Sequence, residues 1–201
     1  MNTATHNPQA VAIDDRIGAR APLLFALVAL LGFGLLYSLV GAALGRLAFP
    51  WQATGSLAML DGQARGSILV AQPFDDARYF QPRPSAANYD PMAAAGSNLA
   101  RTNPDLRKRM AETALAVAER DGIALSDVPA ELTTQSGGGL DPHLSPRAAQ
   151  VQVARVAKAR GLSAAEVDAL VVAHTQPRQF GVLGEPRVNV LELNLALDAR
   201  R

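Results

Sequence analysis

The chain has no cysteine, so disulfide bonds and thiolate chemistry are excluded, and cysteine usage fits the cytosol and the periplasm equally. Its formal net charge is only +1, which leaves no basic field of the kind that gathers nucleic acid. Aromatic residues make up 5% of the sequence, while 13 prolines and 16 glycines point to a loop-rich domain. No internal repeat is visible. A G-x-x-x-x-G-K-[ST] loop is absent, and with it the phosphate-binding lysine and the magnesium-binding hydroxyl. A G-x-S-x-G nucleophile elbow is absent too.

Against this background residues 21–45 stand out as one long uncharged run, bounded by Arg20 and Arg46. As a helix rising about 1.5 Å per residue it covers roughly 37 Å, enough to cross a hydrocarbon core of about 30 Å with some tilt. The run is too long for the apolar region of a cleaved signal, so it is expected to remain as an anchor. Arg16 and Arg20 precede it and Arg46 follows, a thin bias that leans toward a cytoplasmic N-terminus. Gly34, Ser38, Gly41 and Gly45 recur at i, i+4, i+7 and i+11, a small face on which another membrane helix packs closely. Residues 1–20 are expected to be a flexible tail, 46–65 a juxtamembrane connector with Phe49 and Trp51 at the interface, and 66–201 a single soluble domain.

Within that domain Gly66–Ala71 has the composition of a short strand. Pro73, Pro82, Pro84 and Pro91 then forbid long helices, and Phe74, Tyr79, Phe80 and Tyr89 predict that this long loop is pinned by buried rings. Asn103-Pro104 opens a helix that Gly122 closes, with Leu106, Met110, Ala114 and Val117 on its apolar stripe. Ser145-Pro146 opens a second helix ending at Gly161, with Ala149, Val153, Val156 and Ala157 inward. Ser163-x-x-Glu166 is a capping box for a third, burying Val167, Leu170, Val171 and His174. Arg187–Leu197 alternates as a strand that turns helical near Asn194. The fold class is α+β: one transmembrane helix followed by a mixed α/β domain.

Gln135–His143 reads Q-S-G-G-G-L-D-P-H. Consecutive glycines free backbone N–H groups to form an anion-binding concavity, and the helix N-terminus that follows adds a favourable dipole, so phosphate contact is one reading; the other is a tight loop whose glycines take positive φ. Asp141, His143, His174 and Glu185 lack a trustworthy metal spacing, so no metal is expected. Ser136 with His143 has no context for a nucleophile and base, so no catalytic residue is assigned. Arg83 and Asn98 sit in sharp turns of the long loop, where they either order that loop or dock a partner.

The segments Y-F-Q-P-R-P-S-A (79–86), G-S-N-L (96–99), T-N-P-D-L (102–106), S-G-G-G-L-D-P-H-L-S-P (136–146), Q-V-A-R-V-A (152–157) and G-V-L-G-E-P-R-V-N-V-L-E-L-N (181–194) occur in the order found in a known family. Together they resemble the C subunit of the Kdp potassium-transporting ATPase. The family loop is usually S-G-S-G-L-D-P, and Gly138 stands here at its middle serine. The resemblance implies a non-catalytic accessory subunit of a high-affinity ATP-driven K⁺ importer in the bacterial inner membrane, single-pass, with its domain in the periplasm. It implies two partners, a channel-like subunit that carries the K⁺ filter and a P-type ATPase subunit. It also implies a catalytic-chaperone role that raises the ATP affinity of the latter. The S-G-G-G-L loop is also similar to the signature motif of ABC transporters, which implies nucleotide contact by Ser136, Gly137, Gly138 and Gly139. No tightly bound cofactor is implied; ATP would be met through the partner. The rival classes are a membrane-anchored periplasmic hydrolase and a stand-alone ligand-binding module.

Overall fold

In a computed structural model, residues 18–200 are described, and they divide into two compact units between Ala53 and Thr54. Most of residues 1–20, expected as a tail, lie outside the described residues, Arg16 among them.

The first unit is one apolar helix, Arg20–Ala48, followed by the short α3 (Pro50–Ala53). Its halves α1 (Arg20–Ala29) and α2 (Tyr37–Ala48) flank a widened π-type stretch, Leu30–Leu36. There the Tyr37 N–H reaches back to the Gly32 carbonyl, five residues away. One turn on, the Ser38 hydroxyl donates to the Gly34 carbonyl at 2.8 Å, the oxygen that a regular helix reserves for the Ser38 N–H. No residue of this helix is buried, and Phe25, Phe33 and Tyr37 are each about three-quarters exposed. An apolar cylinder of this length needs lipid or other helices around it.

The second unit opens with a hairpin, β1 (Leu57–Leu60) against β2 (Gln63–Ser67), antiparallel with a bulge between Ala58 and Met59. Asp61 and Gly62 form its tip with φ of 53° and 75°, the two positive angles that a type I′ turn needs. The strand expected at Gly66–Ala71 is therefore displaced toward the N-terminus. β2 stops at Ser67 because the Ser67 hydroxyl accepts the Leu69 N–H at 3.1 Å and turns the chain. Residues beyond it are stitched down singly: Asn189 Nδ2 donates to the Ile68 carbonyl, and the Ala71 N–H to that of Leu140.

α4 (Pro104–Asp121) forms as its punctuation predicts. Asn103 Oδ1 accepts the Asp105 N–H at 2.8 Å, and Gly122 ends the helix at φ 66°. The expected second helix is two helices, α5 (Pro146–Gln150) and α6 (Val153–Arg160). The cause is Gln152, fully buried, whose Nε2 takes the Ala148 carbonyl while its own N–H goes to Ala149. α7 (Ala164–Ala173) carries the full capping box of Ser163 and Glu166 and buries Val167, Leu170 and Val171; His174 is only half-buried, with Nδ1 2.9 Å from the Leu170 carbonyl.

A small antiparallel sheet has the order β3–β5–β4, with β3 His143–Leu144, β4 Thr175–Gln176 and β5 Arg187–Asn189. The C-terminal segment is strand only as far as Asn189. It becomes helix α8 (Val190–Asp198) at once, earlier than the expected switch near Asn194, because Asn189 Oδ1 caps the Glu192 N–H. Val190, Leu193, Asn194 and Leu197 then fall on one helical face and are buried. Phe80, Leu144, Val156, Val167, Val188 and Leu193 meet at the centre of the core.

Candidate functional site

The long loop is held by side chains standing in for absent backbone partners. The Asn194 carboxamide accepts the Phe80 N–H at 2.8 Å and donates to the Phe80 carbonyl at 2.9 Å. Gln152 does the same for Gln81, at 2.9 and 3.1 Å. Arg155 bridges the Ala77 and Tyr79 carbonyls and pairs through Nε with the buried Asp121 at 2.6 Å, while Arg160 lies 4.9 Å above the Tyr79 ring. The ring of Phe80 is thereby sunk in the core, and Pro82 and Ala87 are buried beyond it.

This fixed loop forms the wall against which the glycine loop packs. The Ser136 N–H donates to the Pro84 carbonyl at 3.0 Å, and the Gly139 N–H closes a turn on the Ser136 carbonyl at 3.1 Å. Gly139 has φ 75°, and a Cβ there would stand 2.9 Å from both the Ala87 Cβ and the Ala95 carbonyl oxygen. Its own carbonyl accepts the Ser85 hydroxyl at 2.6 Å. Gly96 is equally constrained, because a Cβ there would strike the Gly137 carbonyl. Gly137 and Gly138 face open space and have ordinary φ. Two of the loop's N–H groups are thus consumed internally, and Ser136 is 4% exposed with its hydroxyl accepting the Asp141 N–H at 3.3 Å. The short α5 that follows gives its Ala148 N–H to Ser145.

Arg83 and Asp141, 58 positions apart, meet at 2.9 Å through Nη1 and Oδ2. Asp141 also receives the His143 N–H at 3.0 Å, and the His143 ring lies 3.7 Å away through Nδ1. His143 first, by ring and by backbone, and then Arg83 hold the Asp141 carboxyl down at about 2, against the opposing effect of burial. At 3.7 Å the ring acts electrostatically when protonated; the two short donors fix the geometry. The Tyr89 hydroxyl, donating to the Arg83 carbonyl at 3.0 Å, completes the turn, and burial pushes its phenol pKa up.

Arg83 is therefore placed as an internal tie between the long loop and the glycine loop. Asn98 is exposed, with φ 50°, and its turn is tied to α4 by Arg109 Nη2 on the Ser97 hydroxyl at 3.2 Å. Asp141, His143 and Glu185 do come together around one open groove of about 310 Å³, with Glu131, Ser145 and Arg187. Glu131 accepts both the N–H and the hydroxyl of Ser145, and Glu185 is paired with Arg178, so these carboxylates are engaged in structure. His174 lines no part of the groove. Among the described residues no three His, Asp or Glu side chains converge on a point that would hold a metal ion. The buried amides of Gln152 and Asn194 were not singled out from the sequence; their only signal is a polar residue on an otherwise apolar helical face.

In the first unit, Ser38, Gly41 and Gly45 lie on the regular half of the helix and Gly34 in the widened stretch, joined to Ser38 by its hydroxyl. A Cβ built at Gly41 or Gly45 meets nothing within 4 Å.

Residues 19–199 match the family described as "KdpC: K+-transporting ATPase, c chain". The chain is 63% identical over 186 residues to a "Potassium-transporting ATPase KdpC subunit" of Xanthomonas oryzae pv. oryzae, covering 92% of this chain and 89% of that protein. It is 54% identical over 181 residues to the protein of that name from Kineococcus radiotolerans, covering 89% and 92% of the two chains. A Shewanella putrefaciens counterpart is 48% identical over 182 residues, covering 90% and 89%. A match that runs through both the apolar helix and the folded unit leaves no part of this architecture outside it: the chain belongs to the KdpC family of K⁺-transporting ATPase c chains.

Proposed function

We propose that the chain is the accessory C subunit of a high-affinity, ATP-driven K⁺ import complex, anchored in the bacterial inner membrane by one spanning helix with its domain on the periplasmic side. It assembles with a channel-like subunit and a P-type ATPase subunit, supplies no catalytic group, and acts as a catalytic chaperone that raises the ATP affinity of the hydrolysing partner. The observation that carries this reading is the family match across residues 19–199, helix and domain together. The buried, internally bonded Ser136 supports it against a hydrolase, since a nucleophile must reach substrate. ATP binds the partner, and the effect on its affinity passes through the helix as an allosteric coupling, because the bilayer separates a periplasmic loop from cytosolic nucleotide.

Deleting the chain while the remaining subunits are expressed tests the proposal. Growth at micromolar K⁺ is lost and growth at high K⁺ is kept. Complementation needs helix and domain on one chain, because tethering raises the local concentration of the domain at its docking site. Normal growth of the deletion strain at micromolar K⁺ overturns the assignment.

A further inference from the structure

The β1–β2 hairpin has two unlike faces. Ala58 and Leu60 are half-buried where β1 packs against α8, and Leu57 and Met59 alternate with them on the outer face, 38% and 57% exposed. The cross-strand partners of these two, Ser67 and Ala64, share that face and are uncharged. Leu69, just past β2, is 61% exposed. The bulge between Ala58 and Met59 leaves Arg65 with no residue opposite it. Among the described residues the exposed Arg65 guanidinium has no hydrogen bond or ion pair. The one carboxylate of the hairpin, Asp61, is confined to the tip, where its φ of 53° serves the turn.

We infer that the outer face of the hairpin lies on the lipid surface at the foot of the apolar helix, with Leu57 and Met59 in the headgroup layer and Arg65 on a lipid phosphate. The inference rests on the membrane-anchor reading above and adds a second membrane contact, made by the folded unit. Chain connection carries the argument. β1 begins four residues after α3 ends, a link that spans at most about 14 Å when extended. Gly55 and Ser56 have φ of 94° and 49°, so the link is bent and shorter than that. Phe49 and Trp51, 61% and 46% exposed, follow the uncharged run and Arg46 directly and mark the level of the interface. The tether therefore keeps β1 beside the bilayer surface. Lipid is present there at bulk density and occupies an apolar face unless another chain excludes it. The chemistry of the face agrees. Leu57 and Met59 offer area without hydrogen-bonding groups, which the acyl boundary accepts, and a guanidinium beside them binds phosphate oxygens in bidentate fashion.

The chain has no cysteine, so each single-cysteine variant of the full chain takes one nitroxide. Met59→Cys, Leu57→Cys, Gln63→Cys and Leu39→Cys are labelled and incorporated into vesicles of phosphatidylethanolamine and phosphatidylglycerol, alone and with the other subunits of the pump. Labels at positions 57 and 59 are expected to be more accessible to oxygen than to a water-soluble nickel chelate, at a depth of roughly 5–10 Å below the phosphates. The preference reverses at Gln63, which pairs with Leu60 of the opposite face. Arg65→Glu raises nickel access at position 59 at least about twofold, and Arg65→Lys does not. Unchanged thermal unfolding of each variant separates contact from folding. Nickel preference at both 57 and 59 places the face in water and overturns the inference. So do equal readings at 59 and 63, or a label at 59 that the other subunits shield from both quenchers, which assigns the face to a protein. In each of these cases an oxygen-accessible label at Leu39 leaves the membrane-anchor reading intact; nickel preference at Leu39 overturns both.

Discussion

The side chain of Asn194 and the backbone of Phe80, 114 positions apart, form a closed pair in which one carboxamide satisfies both the N–H and the carbonyl of a loop residue. A buried backbone group without a partner is expensive, and the proline-rich loop has no neighbouring strand to supply one. An asparagine on α8 supplies it instead, and Gln152 at the break between α5 and α6 repeats the device for Gln81. These two amides let an irregular loop carry Phe80 into the core.

Replacing Asn194 by alanine orphans two buried backbone groups, so Asn194→Ala is expected to destabilise the domain by about 2–5 kcal/mol. Asn194→Asp retains an acceptor for the Phe80 N–H but no amide donor for the carbonyl, and is expected to be destabilising as well. Denaturant unfolding of the full chain in detergent measures both. A loss below about 1 kcal/mol for Asn194→Ala would mean that water replaces the amide readily.

The Arg83–Asp141 tie gives the domain an acid limit. Folding holds the Asp141 carboxyl at about 2, below its ordinary 3.8, through His143 first and then Arg83. A group whose pKa is lowered by folding contributes its stability in full above the unfolded value and loses it as pH falls through the folded one. The contribution therefore disappears between roughly pH 4 and pH 2, as the Asp141 carboxylate takes up its proton. Discounted for partial solvent exposure it amounts to about 1–2 kcal/mol. Asp141→Asn is expected to remove that amount at pH 7 and to flatten the acid side of the stability profile. An Asp141→Asn profile parallel to the unmodified one down to pH 2 would discard this account.

Helix ends were legible in the sequence because their signals are local. Asn103-Pro104, Gly122, Gly161 and the Ser163–Glu166 box each act within one turn, and each stands where expected. The hairpin was not read from the sequence, where residues 46–65 are expected to be a connector: Asp61-Gly62 is a turn signal, but the strands beside it alternate too weakly to announce themselves. Two features were not readable locally. Helix continuity at Gln152 is decided by Gln81 far away in the chain, and the identity of residues 190–197 by competing periods. Leu191, Leu193, Leu195 and Leu197 alternate as a strand, whereas Val190, Leu193, Asn194 and Leu197 form a helical face; the Asn189 cap and the Asn194–Phe80 pair favour the helix. Candidate-site residues were recognisable by type, but the Arg83–Asp141 contact and the outward face at Met59 are tertiary facts.

Glycine substitutions separate folding from docking in the S-G-G-G loop. Gly139→Ala forces a Cβ into the Ala87–Ala95 wall at a positive φ, so about 2–4 kcal/mol of destabilisation is expected. Gly137→Ala meets nothing within 4 Å and is expected to fold normally, so any loss of pump activity it causes reports a partner contact. Ser136→Ala is expected to change the ATP dependence of the assembled pump little. Calorimetry on the full chain is expected to show no millimolar-range ATP binding; saturable binding abolished by Gly137→Val in a folded chain would establish the loop as a nucleotide site.

The last prediction concerns the small face of the apolar helix Arg20–Ala48. Gly41 and Gly45 leave open surface where a second helix approaches closely, and contact there depends on dispersion between near-touching backbones. A leucine at either position holds a neighbour roughly a side chain farther away, whereas Leu30→Ala removes bulk from a side chain that is two-thirds exposed. Gly41→Leu and Gly45→Leu are therefore expected to lower the yield of detergent-solubilised complex severalfold, and Leu30→Ala to leave it near normal. The substitutions do not alter the apolar length of the helix, so membrane insertion is expected to be unchanged and serves as the control. Equal complex yields from all three variants would mean that the glycine face looks onto lipid, and that assembly is carried by the folded domain alone.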